Sequence, residues 1–228
     1  MAETPRQLAL DIGLRDSARF ENYTAGDNHA ALATLRAGTE PFVYLAGAPA
    51  TGRTHLLQAA CHAAGPMAAS IYLPLREHGD LAPAVLEDLE QYRLVCLDDV
   101  DAVAGLAAWE TALFHLYNRV REAGGRLIVS AAQVPAEAGF VLADLRSRLG
   151  WGPVFQLRAL AEADRLGALQ QRARYRGLDL PDEVGEYLLR RSPRDMASLF
   201  QLLERLDQAS LQAQRRLTIP FVRSLLGS

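Results

Sequence analysis

The sequence predicts an α/β fold: a parallel five-stranded sheet flanked by helices, followed by a small C-terminal α-helical lid. Three observations predict it. Short apolar runs rich in β-formers alternate with amphipathic helical stretches over residues 19–160. A glycine-rich loop, "GAPATGRT", joins the first of those runs to a helix. From about Ala161 the strands stop and only helical segments follow.

Residues 1–18 read as a tail of mixed charge and weak periodicity. A turn at "AGDN" precedes the helix "HAALATLRAG", and "PFVYLAG" is the first buried strand. The loop then feeds the helix "THLLQAACHAAG", which stops at Gly65. "ASIYLPL" is a second strand, "LAPAVLEDLEQY" a helix and "RLVCLDDV" a third strand ending in two acids. "AAWETALFHLYNRVREAGG" is a long helix with a Gly-Gly stop; "RLIVSA" and "PVFQLRAL" are the fourth and fifth strands. Buried strands without polar alternation need cover on both faces, as parallel sheets have. The base is therefore 19–160. The lid, 161–228, carries four helical segments, with Pro181, Pro193 and Pro220 near helix starts.

At 228 residues the chain can bury a substantial core. No apolar run reaches the roughly 18 residues that cross a bilayer, and the N-terminus lacks a signal-peptide core, so a cytoplasmic protein without membrane contact is expected. Cys61 and Cys96 lie in apolar surroundings and read as core thiols, and no Cys/His spacing suggests zinc. A net charge of −3 argues against a whole-molecule electrostatic grip on DNA. All 24 basic residues are arginine.

That composition bears on the loop. The pattern G-x-x-x-x-G-K-[ST] is met at Gly47, Gly52 and Thr54, with Arg53 in place of lysine. Successive N–H groups of such a turn form a nest for phosphate oxygens, and the following helix adds its positive end. Gly47, Ala48, Pro49, Ala50, Thr51, Gly52, Arg53, Thr54 and His55 are the candidate nucleotide-binding stretch, and the Thr54 hydroxyl is placed for Mg²⁺. Arginine keeps lysine's charge but is larger and forked, so it need not deliver that charge to a γ-phosphate. Drift toward arginine is the plain alternative cause.

Asp98 and Asp99 close the third strand, at the sheet edge where open α/β sheets bind ligands. Asp98 can hold Mg²⁺ and its water shell, and Asp99 stands where a water-activating acid would be. Two solvated acids at a strand end are the plain alternative. In "RSRLGWG", residues 146–152, an arginine can stabilise charge on a phosphoryl group, including one held by a neighbouring molecule; surface arginines at a helix end are the alternative. Arg194, in "SPRDM", opens a lid helix and can reach back toward phosphates. In the tail, "QLALDI" offers a polar anchor, Gln7, and apolar Leu8, Leu10 and Ile12 for docking into a hydrophobic pocket.

Together, "QLALDI", "FENYTAGDNHAAL", "GAPATGRTHLLQAAC", "LVCLDDV", "FHLYNRV", "LRSRLGWG", "QRARYRGLDLPDEVGEYLLRR" and "AQRRLTIPFV" resemble the AAA+ domain of the bacterial replication initiator DnaA. They resemble its Hda-like regulatory relatives more closely. The resemblance implies an AAA+ P-loop NTPase fold over nearly the whole chain. It implies that Gln7, Leu8, Leu10 and Ile12 bind the sliding clamp (the β subunit of DNA polymerase III), that Arg148 is an arginine finger acting on DnaA-bound ATP, and that Arg194 is the sensor 2 arginine. It places Gly26–Asn28 near the adenine and implies ADP as the favoured nucleotide, with Mg²⁺. The family's DNA-reading helix-turn-helix has no counterpart before Ser228, so DNA contact is expected only through the clamp; homo-oligomers stay open. The sensor 1 stretch "VSAAQVP" departs from the pattern: Ala132 stands where relatives carry Asp, leaving Ser130 as the nearby polar group. Two departures on the hydrolytic side, Arg53 and Ala132, imply weak self-hydrolysis. The alternatives are a self-contained ATPase of helicase-loader type and an interaction module with a vestigial site.

Overall fold

The computed structural model describes residues 18–65, 69–76, 81–191, 196–213 and 215–226. The strands are β1 (Phe42–Gly47), β2 (Ser70–Pro74), β3 (Leu94–Asp98), β4 (Arg126–Ala131) and β5 (Val154–Leu157). They form one sheet in the order β2-β3-β4-β1-β5, every neighbouring pair parallel. All the carboxyl ends therefore share one edge, and β1, which feeds the glycine-rich loop, runs between β4 and β5.

Helices α1 (His29–Ala37) and α2 (Arg53–Ala64) cover one face of the sheet. There Leu32, Leu35, Leu56, Leu57 and Cys61 pack on Val43, Leu45, Cys96 and Ile128. Helices α3 (Ala107–Glu122) and α4 (Ala143–Leu149) cover the other face. Leu113, Leu116, Tyr117, Val120, Leu145 and Leu149 pack on Tyr44, Leu97 and Val129. Alternate residues of each strand thus enter opposite cores, which is why the strands read as continuous apolar runs. Cys61 and Cys96 are both free and buried, as expected of core thiols.

The last four helices, α5 (Glu162–Tyr175), α6 (Asp182–Arg191), α7 (Met196–Ala213) and α8 (Ile219–Leu226), build a third core around Leu169, Val184, Leu188, Leu203 and Val222. Among the described residues, no helix is long and apolar enough to cross a membrane.

One expected element is absent. "LAPAVLEDLEQY" is not a helix but two short 3₁₀ turns, Pro83–Leu86 and Leu89–Gln91. Between them Asp88 adopts φ +60°, a left-handed conformation that stops helix propagation despite the helix-forming Ala, Leu and Glu around it.

Candidate functional site

The loop leaves the carboxyl end of β1 and enters α2 at Arg53. Its shape depends on Gly52, which has φ +93° and lies under the Tyr23 ring: a Cβ there would meet Tyr23 Cε2 at 2.5 Å. Ala50 also takes a positive φ, +66°. No side chain caps α2, so its first N–H groups remain available to an anion.

Around the loop lies a small cleft lined from both parts of the molecule. Tyr23, Asn28, Thr51 and His55 line one side; Ala168, Met196 and Phe200 line the other. The segment before α1 holds this wall in place. The Tyr23 hydroxyl donates to the Thr51 carbonyl at 3.1 Å. Asn28 clasps the Arg158 backbone, donating to its carbonyl at 2.9 Å and accepting from its N–H at 2.8 Å. Thr24 donates to Gln171 Oε1 at 2.8 Å, and Gln171 donates to the Glu21 carbonyl at 2.9 Å. The "TAGDN" stretch thus borders the cleft through Thr24 and Asn28. His55 Nε2–H donates to the Arg19 carbonyl at 2.8 Å, an acceptor that fixes the tautomer. Burial lowers the His55 pKa to about 4, against the smaller upward pull of that hydrogen bond.

At the carboxyl edge of the sheet, Asp98 is buried and accepts from three hydroxyls. Thr54 donates to Oδ2 at 2.6 Å, Tyr72 donates to Oδ2 at 2.8 Å, and Ser130 donates to Oδ1. Ser130 also accepts the Asp99 N–H at 3.0 Å. Its hydroxyl is therefore committed to holding the two acids and does not stand as a free sensor group. Thr54 and Asp98 are a fit for a hydrated Mg²⁺: the hydroxyl can keep its hydrogen bond to the carboxylate while turning a lone pair to the cation.

Asp99 adopts φ +54°, a left-handed backbone conformation. Arg53 Nη2 lies 2.9 Å from Asp99 Oδ1, with the two side chains only 10 % and 20 % exposed. This contact has the distance of an ion pair without hydrogen-bond alignment. Arg76 grips the other oxygen of Asp99 at 3.1 Å and Asp101 at 3.3 Å. Burial and the neighbouring Asp98 raise the Asp99 pKa, outweighing the opposite pull of Arg53 and Arg76. The cation at the lysine position and the expected water-activating acid therefore neutralise each other.

Arg148 is not part of this cluster. It sits near the end of α4, and its guanidinium carbon lies 3.8 Å from the centre of the Trp151 ring. Trp151 meets Tyr117 edge-on at 6.4 Å, and Tyr117 stacks on Phe42 at 4.1 Å. Phe42 begins β1, whereas the loop leaves its other end, roughly 15–20 Å along the strand. Gly152 makes the approach possible: a Cβ there would lie 2.0 Å from the Phe42 carbonyl oxygen. The structure therefore gathers Gly47–His55, Asp98 and Asp99 at one edge and places Arg148 toward the other. Gln7, Leu8, Leu10, Ile12 and Arg194 lie outside the described residues. Tyr72, Arg76 and Trp151 were not singled out by sequence reasoning. For Trp151 a signal was present, an aromatic three residues after Arg148; Tyr72 and Arg76 meet the acids only through the fold.

The fold is that of AAA+ P-loop NTPases. Domain III of Thermotoga maritima DnaA superposes with a TM-score of 0.77 at 20% identity, covering 94% of this chain and 97% of that one. AMPPCP-bound DnaA from Aquifex aeolicus gives 0.71 at 21%, covering 87% and 68%. The Thermotoga maritima RuvB branch migration motor gives 0.62 at 16%, covering 90% and 71%. Family models narrow the class: residues 80–156 match the bacterial DnaA ATPase domain and residues 162–226 the Hda lid domain. Over these two stretches the chain is similar to Hda/DnaA-related AAA+ proteins.

Proposed function

We propose that this protein is a cytoplasmic adaptor that restrains replication initiation. It holds ADP, with Mg²⁺ at Thr54 and Asp98, docks on the DNA-loaded sliding clamp through Gln7, Leu8, Leu10 and Ile12, and presents Arg148 to ATP bound by DnaA. Hydrolysis converts the initiator to its ADP form and prevents re-initiation. Contact with DNA is indirect, through the clamp, and Arg194 reports the nucleotide to the lid.

The observation that carries this reading is the division of charge. The chain's own hydrolytic pair, Arg53 and Asp99, is mutually neutralised at 2.9 Å, while Arg148 stands apart from that edge of the sheet. A site arranged so favours holding a nucleotide over splitting it. An arginine supplied to a neighbour's γ-phosphate is worth roughly 10³–10⁵ in rate, enough to account for regulation without any other catalytic group.

The test is hydrolysis of DnaA-bound ATP with clamp-loaded DNA, comparing the natural chain with Arg148→Ala. Loss of stimulation with unchanged ADP binding supports the reading. The intact Thr54–Asp98 pair is the one feature that favours the alternative, a self-contained ATPase. Brisk ATP turnover by the isolated protein would establish that alternative instead.

A further inference from the structure

We infer that Trp151 is a positioning residue for Arg148: its ring is the seat on which the guanidinium is held before it meets a phosphate. The inference rests on the role given to Arg148 above.

The geometry is that of a supported cation. Arg148 lies over the Trp151 face at 3.8 Å, well within cation–π range, and Arg121 approaches the same ring at 5.9 Å. A ring attracting two arginines from different helices would turn freely unless braced. Tyr117 braces it: the rings meet at 87°, and Tyr117, itself 1% exposed, is fixed by its stack on Phe42 at 4.1 Å and 21°. The chain Phe42–Tyr117–Trp151–Arg148 thus ties the guanidinium to the start of β1. Gly152 brings the Trp151 backbone against that strand, which sets where the ring can stand.

A second observation shows that hydrogen bonds do not do this work. Arg148 Nη1 is enclosed and has no hydrogen-bond partner among the described residues. The enclosed Tyr117 hydroxyl has none either. The guanidinium is thus held by a ring face and not by a hydrogen bond from Nη1. Trp151 itself is 59% exposed, far above what a core role requires. Its face therefore serves the arginine, and its removal leaves the buried cores intact.

Pre-setting the guanidinium removes rotamer freedom that would otherwise be lost at the moment of reaction. Trp151 should therefore act on the maximal rate rather than on docking. The experiment titrates the protein into DnaA-bound ATP with clamp-loaded DNA and reads both the rate at saturation and the half-saturating concentration. Trp151→Ala is expected to lower the saturated rate roughly fivefold to thirtyfold, the factor a cation–π contact of this kind corresponds to, with half-saturation unchanged. Trp151→Phe, which keeps a π face, is expected to recover the rate to within about threefold. Unchanged rate in Trp151→Ala, or a shift confined to half-saturation, overturns the inference and makes the ring a docking contact. A Phe variant as slow as the Ala variant overturns it too. Arg148→Ala runs alongside. If it abolishes hydrolysis while Trp151→Ala does not, only the seat falls; if it has no effect, the role of Arg148 falls as well.

Discussion

Arg53 departs from the phosphate-loop pattern, and its partner gives the departure a physical meaning. A lysine would present a compact charge to the phosphates; the forked guanidinium instead lies on Asp99. Neutralising Asp99 also removes a negative charge from the neighbourhood of incoming phosphates. Asp99→Asn frees Arg53 and deletes that charge outright, so ADP is expected to bind several-fold more tightly at low salt, and Arg53→Ala more weakly. Titration with a fluorescent ADP checks both, and weaker binding by Asp99→Asn would contradict the account. His55 supplies a pH dependence of its own. Its folded-state pKa, about 4, lies below the ordinary 6.5, so the unfolded chain takes up the proton first on acidification. The stability it contributes is present above pH 6.5 and is lost as pH falls toward 4. Denaturation across that window should show the loss, and His55→Gln, whose amide can still donate to the Arg19 carbonyl, should flatten it. The loop residues and the two acids were legible in the sequence because they follow strand ends at fixed spacing. The ion pair was not, because Arg53 and Asp99 are brought together only by the adjacency of the β1 and β3 carboxyl ends across β4.

Among the elements, α4 depends on a buried acid in α3. Glu110, 1% exposed, accepts the N–H groups of Gly105 at 2.7 Å, Val141 at 3.0 Å and Leu142 at 2.6 Å. Burial alone would raise its pKa, but these hydrogen bonds together outweigh it and leave the carboxyl below its ordinary 4.5. Glu110→Gln replaces one acceptor with a donor facing backbone N–H groups. It should cost about 1–3 kcal/mol of stability, read by chemical denaturation at pH 7. The loss should shrink as pH falls below 4.5, where protonation weakens the natural residue in the same way; a difference that grows in acid would contradict this. Gly152→Ala belongs to the same scale. Its Cβ would strike the backbone of β1, so about 1–3 kcal/mol of destabilisation is expected from forced separation of β5 and β1, measured by the same denaturation. Strands and long helices could be read from periodicity. The 3₁₀ turns around Asp88 could not, because local composition favours a helix and only the backbone conformation there refuses it. Glu110 likewise reads as an exposed helix acid until the loop 31 residues away folds onto it.

For the whole molecule, the cleft matters most, because its walls come from two cores. Tyr23, Thr51 and His55 belong to the sheet-bearing part, Ala168, Met196 and Phe200 to the helical part. A nucleotide there would bridge them and stabilise the folded chain by mass action, about 2.7 kcal/mol at a hundredfold excess over its dissociation constant. ADP should therefore raise the melting temperature of the full chain, and a chain whose melting ignores ADP would count against nucleotide holding. The central claim, however, concerns the other end of the sheet. It is tested most directly by hydrolysis of DnaA-bound ATP in the presence of clamp-loaded DNA, with natural protein and with Arg148→Ala matched for ADP binding. The expected result is stimulation by the natural chain and its loss in the variant. Equal stimulation by both would contradict the claim that this arginine acts on a neighbour's nucleotide.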